Sequence, residues 1–123
     1  MICFDANIII EIILSRKSSN DCRNYIELAK EDMAITMLTL DLIMYYAERN
    51  NLDLVSIEKF TRLFIWLPLT DTDAEWAFTH HEGDDYEDAL QISCTMREGC
   101  TKFVTLDKDL KKKYSQKIQI DLL

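Results

Sequence analysis

The sequence predicts an α/β protein, a three-layer α/β/α sandwich around a parallel sheet of about five strands. Three observations lead there. Short apolar segments alternate with longer segments of helical character along the whole chain, the pattern of a parallel sheet covered by helices on both faces. Two of the apolar segments run directly into polar clusters holding an aspartate, Asp5 and Asp107, and open parallel sheets bind ligands beyond the carboxyl ends of their strands. The length, 123 residues, suits one domain spanning 1–123, with no segment that reads as a linker, repeat or low-complexity region.

The elements follow in order. Ile2 to Phe4 is short, apolar and ended by Asp5, as expected of a buried strand. Asn7 to Leu14 is a helix. Ser18-Ser19-Asn20 supplies capping residues for a second helix over Asp21 to Lys30. Met33 to Thr36 is the second strand. Leu40 to Arg49 is helical and stops at Asn50-Asn51, and Ser56 to Leu63 continues the helical pattern. Phe64 to Leu69 is the third strand, stopped by Pro68. Thr72-x-x-Glu75 reads as a capping box opening a helix to about His81, with Gly83 just past its end. Asp85 to Arg97 is a helix followed by Gly99, Lys102 to Thr105 the fourth strand, Lys108 to Tyr114 a short helix, and Lys117 to Ile120 the fifth strand.

Composition narrows the function. With 48% hydrophobic and 29% charged residues the chain can build a core and a solvated surface. No apolar run is long enough to span a bilayer, and the opening MICFDANIII lacks the basic start and small-residue cleavage site of a signal peptide, so no membrane association and a cytoplasmic location are expected. The cysteines, Cys3, Cys22, Cys94 and Cys100, form no C-x-x-C pair and read as reduced, mostly buried thiols. The glycines are only Gly83 and Gly99, which excludes enzymes built on glycine-rich phosphate loops. A net charge of −8 argues against a global attraction to nucleic acid, but basic residues cluster at Arg16-Lys17 and from Lys108 to Lys117. Taken alone, the lysine run is a solvated helix end.

The stretch Asp84-Asp85-Tyr86-Glu87-Asp88-Ala89-Leu90-Gln91 carries the densest charge. Asp85 and Asp88 share a face in the first turn of their helix, where the macrodipole favours acids. That face continues through Ala89, Ile92, Ser93 and Met96, which places Asp88 where solvent meets core. Glu87, Gln91, Thr95 and Glu98 form the solvent side, and Asp84 is helix-start charge. Carboxylates forced together raise one another's pKa values unless a cation intervenes, and Mg²⁺ and Mn²⁺ prefer such oxygens. A site of Asp5, Asp88 and Asp107 with one further acid suits hydrolysis of a phosphodiester.

On these residues the chain resembles the PIN domain family, the fold of many bacterial ribonuclease toxins of the VapC type. Asp5-Ala6-Asn7 with Ile8-Ile9-Ile10 is similar to the family's opening Asp-x-Asn followed by apolar residues. Asp85-Tyr86-Glu87-Asp88-Ala89-Leu90-Gln91 resembles its D-[FY]-E-D-A-L-Q helix start, and Phe103-Val104-Thr105-Leu106-Asp107-Lys108-Asp109 its closing apolar-Thr-x-Asp-x-Asp segment. The order, the spacing and the length all match. The resemblance implies the strand order 3-2-1-4-5. It also implies a metal-dependent endoribonuclease that uses Mg²⁺ or Mn²⁺ to direct water at a phosphodiester of single-stranded RNA, and a toxin silenced by a small antitoxin. Asp5, Asp88 and Asp107 would be the metal acids, supported by Thr105 through hydrogen bonding. Asn7, Asp85 and Asp109 would be auxiliary. Apart from the resemblance, the basic clusters supply Arg16, Lys17, Lys108 and Lys111, all typical surface residues, as candidates to contact the RNA backbone.

The sequence departs from the family at one place. In the usual Ser/Thr-x-x-Thr-x-x-Glu pattern, Thr36 and Thr39 match the hydroxyl positions, but the Glu position falls on Leu42. Asp41 stands one residue early, about 100° around the helix. Either Asp41 serves as the fourth acid, or it is an ordinary helix N-terminal acid and the chain is a catalytically degenerate binding module. Other groups are weaker candidates. His80-His81-Glu82 reads as a surface helix end, and Trp66, Trp76, Tyr45 and Tyr46 as packing or interface. A phosphorelay receiver domain would need an aspartate where Leu67-Pro68-Leu69 stands. Met37, Met44, Tyr45 and Trp76 offer apolar surface for a homodimer or an antitoxin.

Overall fold

A computed structural model describes residues 1–123. The five strands form one parallel sheet in the order β3-β2-β1-β4-β5. They are β1 (Ile2–Phe4), β2 (Met33–Thr36), β3 (Ile65–Leu67), β4 (Lys102–Thr105) and β5 (Gln119–Leu122). Seven helices connect them: α1 (Ala6–Ile13), α2 (Ser19–Leu28), α3 (Met37–Arg49), α4 (Leu54–Thr61), α5 (Asp71–His80), α6 (Tyr86–Arg97) and α7 (Lys108–Tyr114).

The three layers follow from the alternation of side chains along each strand. Ile2 and Phe4 of β1 and Val104 of β4 face one core, closed by Ile8, Ile9 and Ile12 of α1 and Ile43 of α3. Cys3 of β1 and Phe103 of β4 face the other, closed by Ala77 of α5, Ala89 and Ile92 of α6, and Leu110 and Tyr114 of α7. β1 lies in the middle, paired with β2 through Cys3 and Ala34 and with β4 through Phe4 and Val104. All four cysteines are buried and unpaired. No helix is long and apolar enough to cross a membrane.

Element bounds shift by one to three residues from the sequence expectation, at strand ends (β3 is Ile65–Leu67, β5 Gln119–Leu122) as well as at helix starts, and three of the helix starts have a visible local cause. α3 begins at Met37 rather than Leu40, because Thr36 ends β2 and caps the helix at once, its hydroxyl accepting the Thr39 N–H at 3.1 Å. α5 opens at Asp71 with Thr70 as its cap, so the capping box is Thr70 with Asp73, not Thr72 with Glu75. Asp73 is wholly buried; it accepts from the Thr70 N–H at 3.0 Å and pairs with Arg97 at 2.9 Å. α4 is Leu54–Thr61, placed by Asp53, which accepts from the Val55 N–H at 3.3 Å and the Ser56 hydroxyl at 2.7 Å. Gly83 lies in the α5–α6 connection at φ +68, and Gly99 follows α6 at φ +74, both in the left-handed region where a Cβ costs energy.

Candidate active site

Parallel strands deliver their carboxyl ends to one edge of the sheet, and the chain spends its polar residues there. Asp5 follows β1 directly, Thr105 ends β4 with Asp107 two residues on, and α6 starts with Asp88 in its first turn. Asp5, Asp88 and Asp107 line one cleft of about 310 Å³.

Asp5 is the deepest of the three, 6% exposed. It stands at the N-cap position of α1 but does not cap that helix. One carboxylate oxygen accepts the Thr105 hydroxyl at 2.7 Å, and the other faces the Gln91 amide nitrogen at 3.4 Å. The Thr105 oxygen in turn accepts from Asn7 Nδ2 at 3.2 Å and from the Asp107 N–H at 3.0 Å. Asn7 Oδ1 accepts the Leu106 N–H at 3.2 Å, which ties α1 to the end of β4. Asp107 uses Oδ1 to cap α7, accepting from the N–H groups of Asp109 (2.9 Å) and Leu110 (3.2 Å). Its Oδ2 takes no protein hydrogen bond.

The electrostatics record uncompensated negative charge. Burial raises the Asp5 carboxyl, the bonds from Thr105 and Gln91 pull it back, and Asp107 adds repulsion. Asp88 is pushed up to about 7, first by burial and then by the charges of Asp5, Asp107 and Asp85. Glu11 and Glu87 join these three acids in the cleft lining, against Arg16 as the one cation. Asp5, Asp88 and Asp107 are hard oxygen donors of the kind Mg²⁺ and Mn²⁺ select. No three acidic, histidine or cysteine side chains stand close enough to ligate one ion directly. Asp5, Asp88 and Asp107 are the residues that would hold such an ion.

Of the residues expected at the site, Asp5, Asp88, Asp107, Asn7 and Arg16 line the cleft, with Thr105 directly behind Asp5. Asp41 does not reach it. With α3 beginning at Met37, Leu42 and Tyr46 turn to the cleft and Asp41 is exposed off it. Asp85 is also elsewhere. It is buried, accepts the Tyr114 hydroxyl at 2.7 Å and pairs with Lys113 at 3.5 Å, which fastens α6 to α7. Burial would raise its pKa, but Tyr114, the Glu82 N–H and Lys113 outweigh that and hold it low. Asp109 opens onto a separate polar hollow with Glu82 and Lys112. Lys17, Lys108 and Lys111 are exposed outside the cleft lining. His80 stacks on Trp76, ring centroids 4.1 Å apart.

The sequence reading missed Gln91 and Thr95, assigned to the solvent side but buried, and Glu87 and Glu11, which border the cleft. Helical spacing held the signal. Gln91 is three residues past Asp88 and four past Glu87, and Glu11 is four past Asn7.

The model of the PIN domain matches residues 2–115. No curated protein matches the chain by sequence. Among solved structures the chain is similar to a toxin–antitoxin complex from Klebsiella pneumoniae, with a TM-score of 0.78 at 15% identity over 98% of this chain and 96% of that one. It is similar to VapBC2 from Rickettsia felis bound to a promoter DNA fragment, with a TM-score of 0.74 at 17% identity over 100% and 99%. It is also similar to FitAB bound to a DNA fragment, with a TM-score of 0.72 at 18% identity over 99% and 94%.

The raised Asp88 pKa has a consequence for stability. An unfolded aspartate titrates near pH ~4, whereas folded Asp88 holds its proton until about 7. Between those values the folded state binds more protons, so this residue lowers the stability of the metal-free protein progressively from about pH 4 to about pH 7. Asp88→Asn should therefore melt above the parent at about pH 7.5, with the gap shrinking toward about pH 4.5. Thermal melts in a chelator check this; a gap that widens as pH falls would contradict the assignment.

Proposed function

The chain belongs to the PIN domain family, and from that premise we propose that it is a metal-dependent endoribonuclease that cleaves single-stranded RNA, acting as the toxin of a toxin–antitoxin pair. The observation that carries the reading is the meeting of Asp5, Asp88 and Asp107 in one cleft, with acids outnumbering the single cation. Mg²⁺ or Mn²⁺ bound there would lower the pKa of a water and offset charge on the phosphodiester.

The chain's own groups then have distinct tasks. Asp5 is held in a fixed orientation by Thr105 and Gln91, and Thr105 is itself held by Asn7. Asp107 offers Oδ2, its other oxygen being committed to α7. Asp88, partly open to solvent, is the carboxylate with most to gain from a cation, which would return its pKa to the ordinary range. Arg16 at the cleft would engage a backbone phosphate. Lys17, Lys108 and Lys111 are exposed and would add longer-range attraction.

One feature of the cleft favours a second reading, a PIN-fold binding module without catalysis: Leu42 lines the cleft at the position where the family's Glu is usual. The two readings part on metal affinity. Calorimetric titration with Mn²⁺ should show binding by the parent, an unchanged affinity in Asp41→Ala, and an affinity about tenfold tighter in Leu42→Glu, a gain of ~1.4 kcal/mol. No heat at millimolar Mn²⁺ would favour the module. On the nuclease reading, Asp88→Asn abolishes Mn²⁺-dependent cleavage of single-stranded RNA while keeping the parental circular dichroism; undiminished cleavage would overturn it.

The antitoxin reading has its own support. An apolar groove between α3 and α4 is lined by Leu40, Met44, Leu54, Val55 and Trp66, and Val55 is 63% exposed. It suits the apolar face of an amphipathic helix. The Klebsiella pneumoniae neighbour is itself a toxin–antitoxin complex. Trp76, by contrast, packs in the other core against Tyr114. Co-expression with the product of an adjacent small reading frame should yield a complex that Val55→Asp disrupts; undiminished co-purification would remove the groove from the reading.

A further inference from the structure

We propose that Gln91 is the positioning residue of this site, an amide that couples the N-terminus of α3 to the carboxylate of Asp5. The proposal rests on the metal-dependent reading of the cleft. Gln91 belongs to α6, the helix that carries Asp88, and is 3% exposed. Its oxygen accepts the Thr39 hydroxyl at 2.7 Å and lies 3.5 Å from the Thr36 hydroxyl, both residues wholly buried. Its nitrogen lies 3.4 Å from Asp5 Oδ1.

The chemistry of the partners fixes the direction of this chain. An ionised carboxylate only accepts, so the amide must turn its NH₂ toward Asp5 and its oxygen toward the hydroxyls, which can donate. The reverse orientation would set an amide oxygen against a carboxylate. Thr36 cannot drift, because its hydroxyl oxygen also accepts the Thr39 N–H that starts α3. Asp5 is thus gripped on both sides, by α6 at Oδ1 and by Thr105 of β4 at Oδ2. The lone pairs left over are those available to the cleft.

The position of α3 makes this coupling matter. Leu42 contributes no ligand, and Asp41 lies off the cleft. The two threonines of α3's first turn and its cap are its polar link to Asp5, and that link runs through Gln91. No buried side-chain polar atom in the protein lacks a partner, so loss of this amide would leave the Thr39 hydroxyl unpaired and free Asp5 Oδ1. A partner behind a metal-binding carboxylate typically accounts for 10–100-fold in affinity or activity, roughly.

The test compares the parent with Gln91→Met, Thr39→Val and the double variant. Affinity is measured by calorimetry with Mn²⁺ alone, and kcat and KM are measured on a single-stranded RNA oligonucleotide. Gln91→Met should weaken Mn²⁺ binding about tenfold or more and lower kcat comparably, with KM for RNA unchanged. Thr39→Val should weaken Mn²⁺ binding by a smaller factor in the parent and by none in the Gln91→Met background, because both act through one chain. Thr39→Val keeps the side-chain shape and carries the test alone should Gln91→Met not fold: unchanged affinity in it would then overturn the proposal. Parental affinity and kcat in Gln91→Met, or fully additive losses in the double variant, would also overturn it. A parent that binds Mn²⁺ but cleaves no RNA would defeat the ribonuclease reading and leave the affinities to decide on Gln91. A parent that binds no Mn²⁺ would defeat both.

Discussion

Burying the carboxylate of Asp5 is the demand around which the rest of the cleft is organised. An isolated charge at the end of the central strand, 6% exposed, would be costly without compensation. The compensation comes from neighbours far away in sequence: Thr105 of β4 on one oxygen and Gln91 of α6 on the other. Those two need partners in turn, and their requirements reach Asn7, Asp107, Thr36 and Thr39. One buried charge therefore links β1, β2, β4, α1, α3 and α6. Most of the polar residues behind the cleft are accounted for by it.

The same arrangement separates two kinds of carboxylate. Asp73 and Asp85 are buried acids with dedicated partners, Arg97 for one and Tyr114 with Lys113 for the other, and both are held below the usual range although burial pushes the other way. They fasten elements together. Asp88 has no such partner and rises to about 7. Density of acid in the sequence does not distinguish these cases; the presence of a counter-charge does. Within Asp84-Asp85-Tyr86-Glu87-Asp88 the structure sends neighbouring acids to different places, Asp85 toward α7 and Glu87 and Asp88 toward the cleft.

The helix on the other side of the cleft shows how much depends on where an element starts. In the sequence Asp41 stands one residue early for the family's Glu, and would serve only if the helix began at a different residue from the expected Leu40. The Thr36 hydroxyl caps α3 at Met37, yet from that phase Leu42 and Tyr46, four residues apart, share the cleft face. An acid one residue out of phase is about 100° away from the site. Gln91 went unrecognised for the opposite reason. A polar residue on a helix reads as solvent-facing by default, and its burial depends on hydroxyls more than fifty residues distant in the chain.

By itself the sequence determined the α/β class, the five strands and their helical connections, and the convergence of Asp5, Asp88 and Asp107. Strand alternation, helical periodicity and the placement of polar residues after apolar runs are local patterns, and the family motifs in order supplied the strand sequence 3-2-1-4-5. Only the tertiary structure decided that Asp41 and Asp109 face away, that Asp85 is a fastening between helices, and that Gln91, Glu11 and Glu87 belong to the cleft or its support. The reason is physical. A periodic pattern states which residues share a face, but the partner packed against that face sets whether a polar group is solvated, paired or left to attract a cation, and that partner comes from another part of the chain.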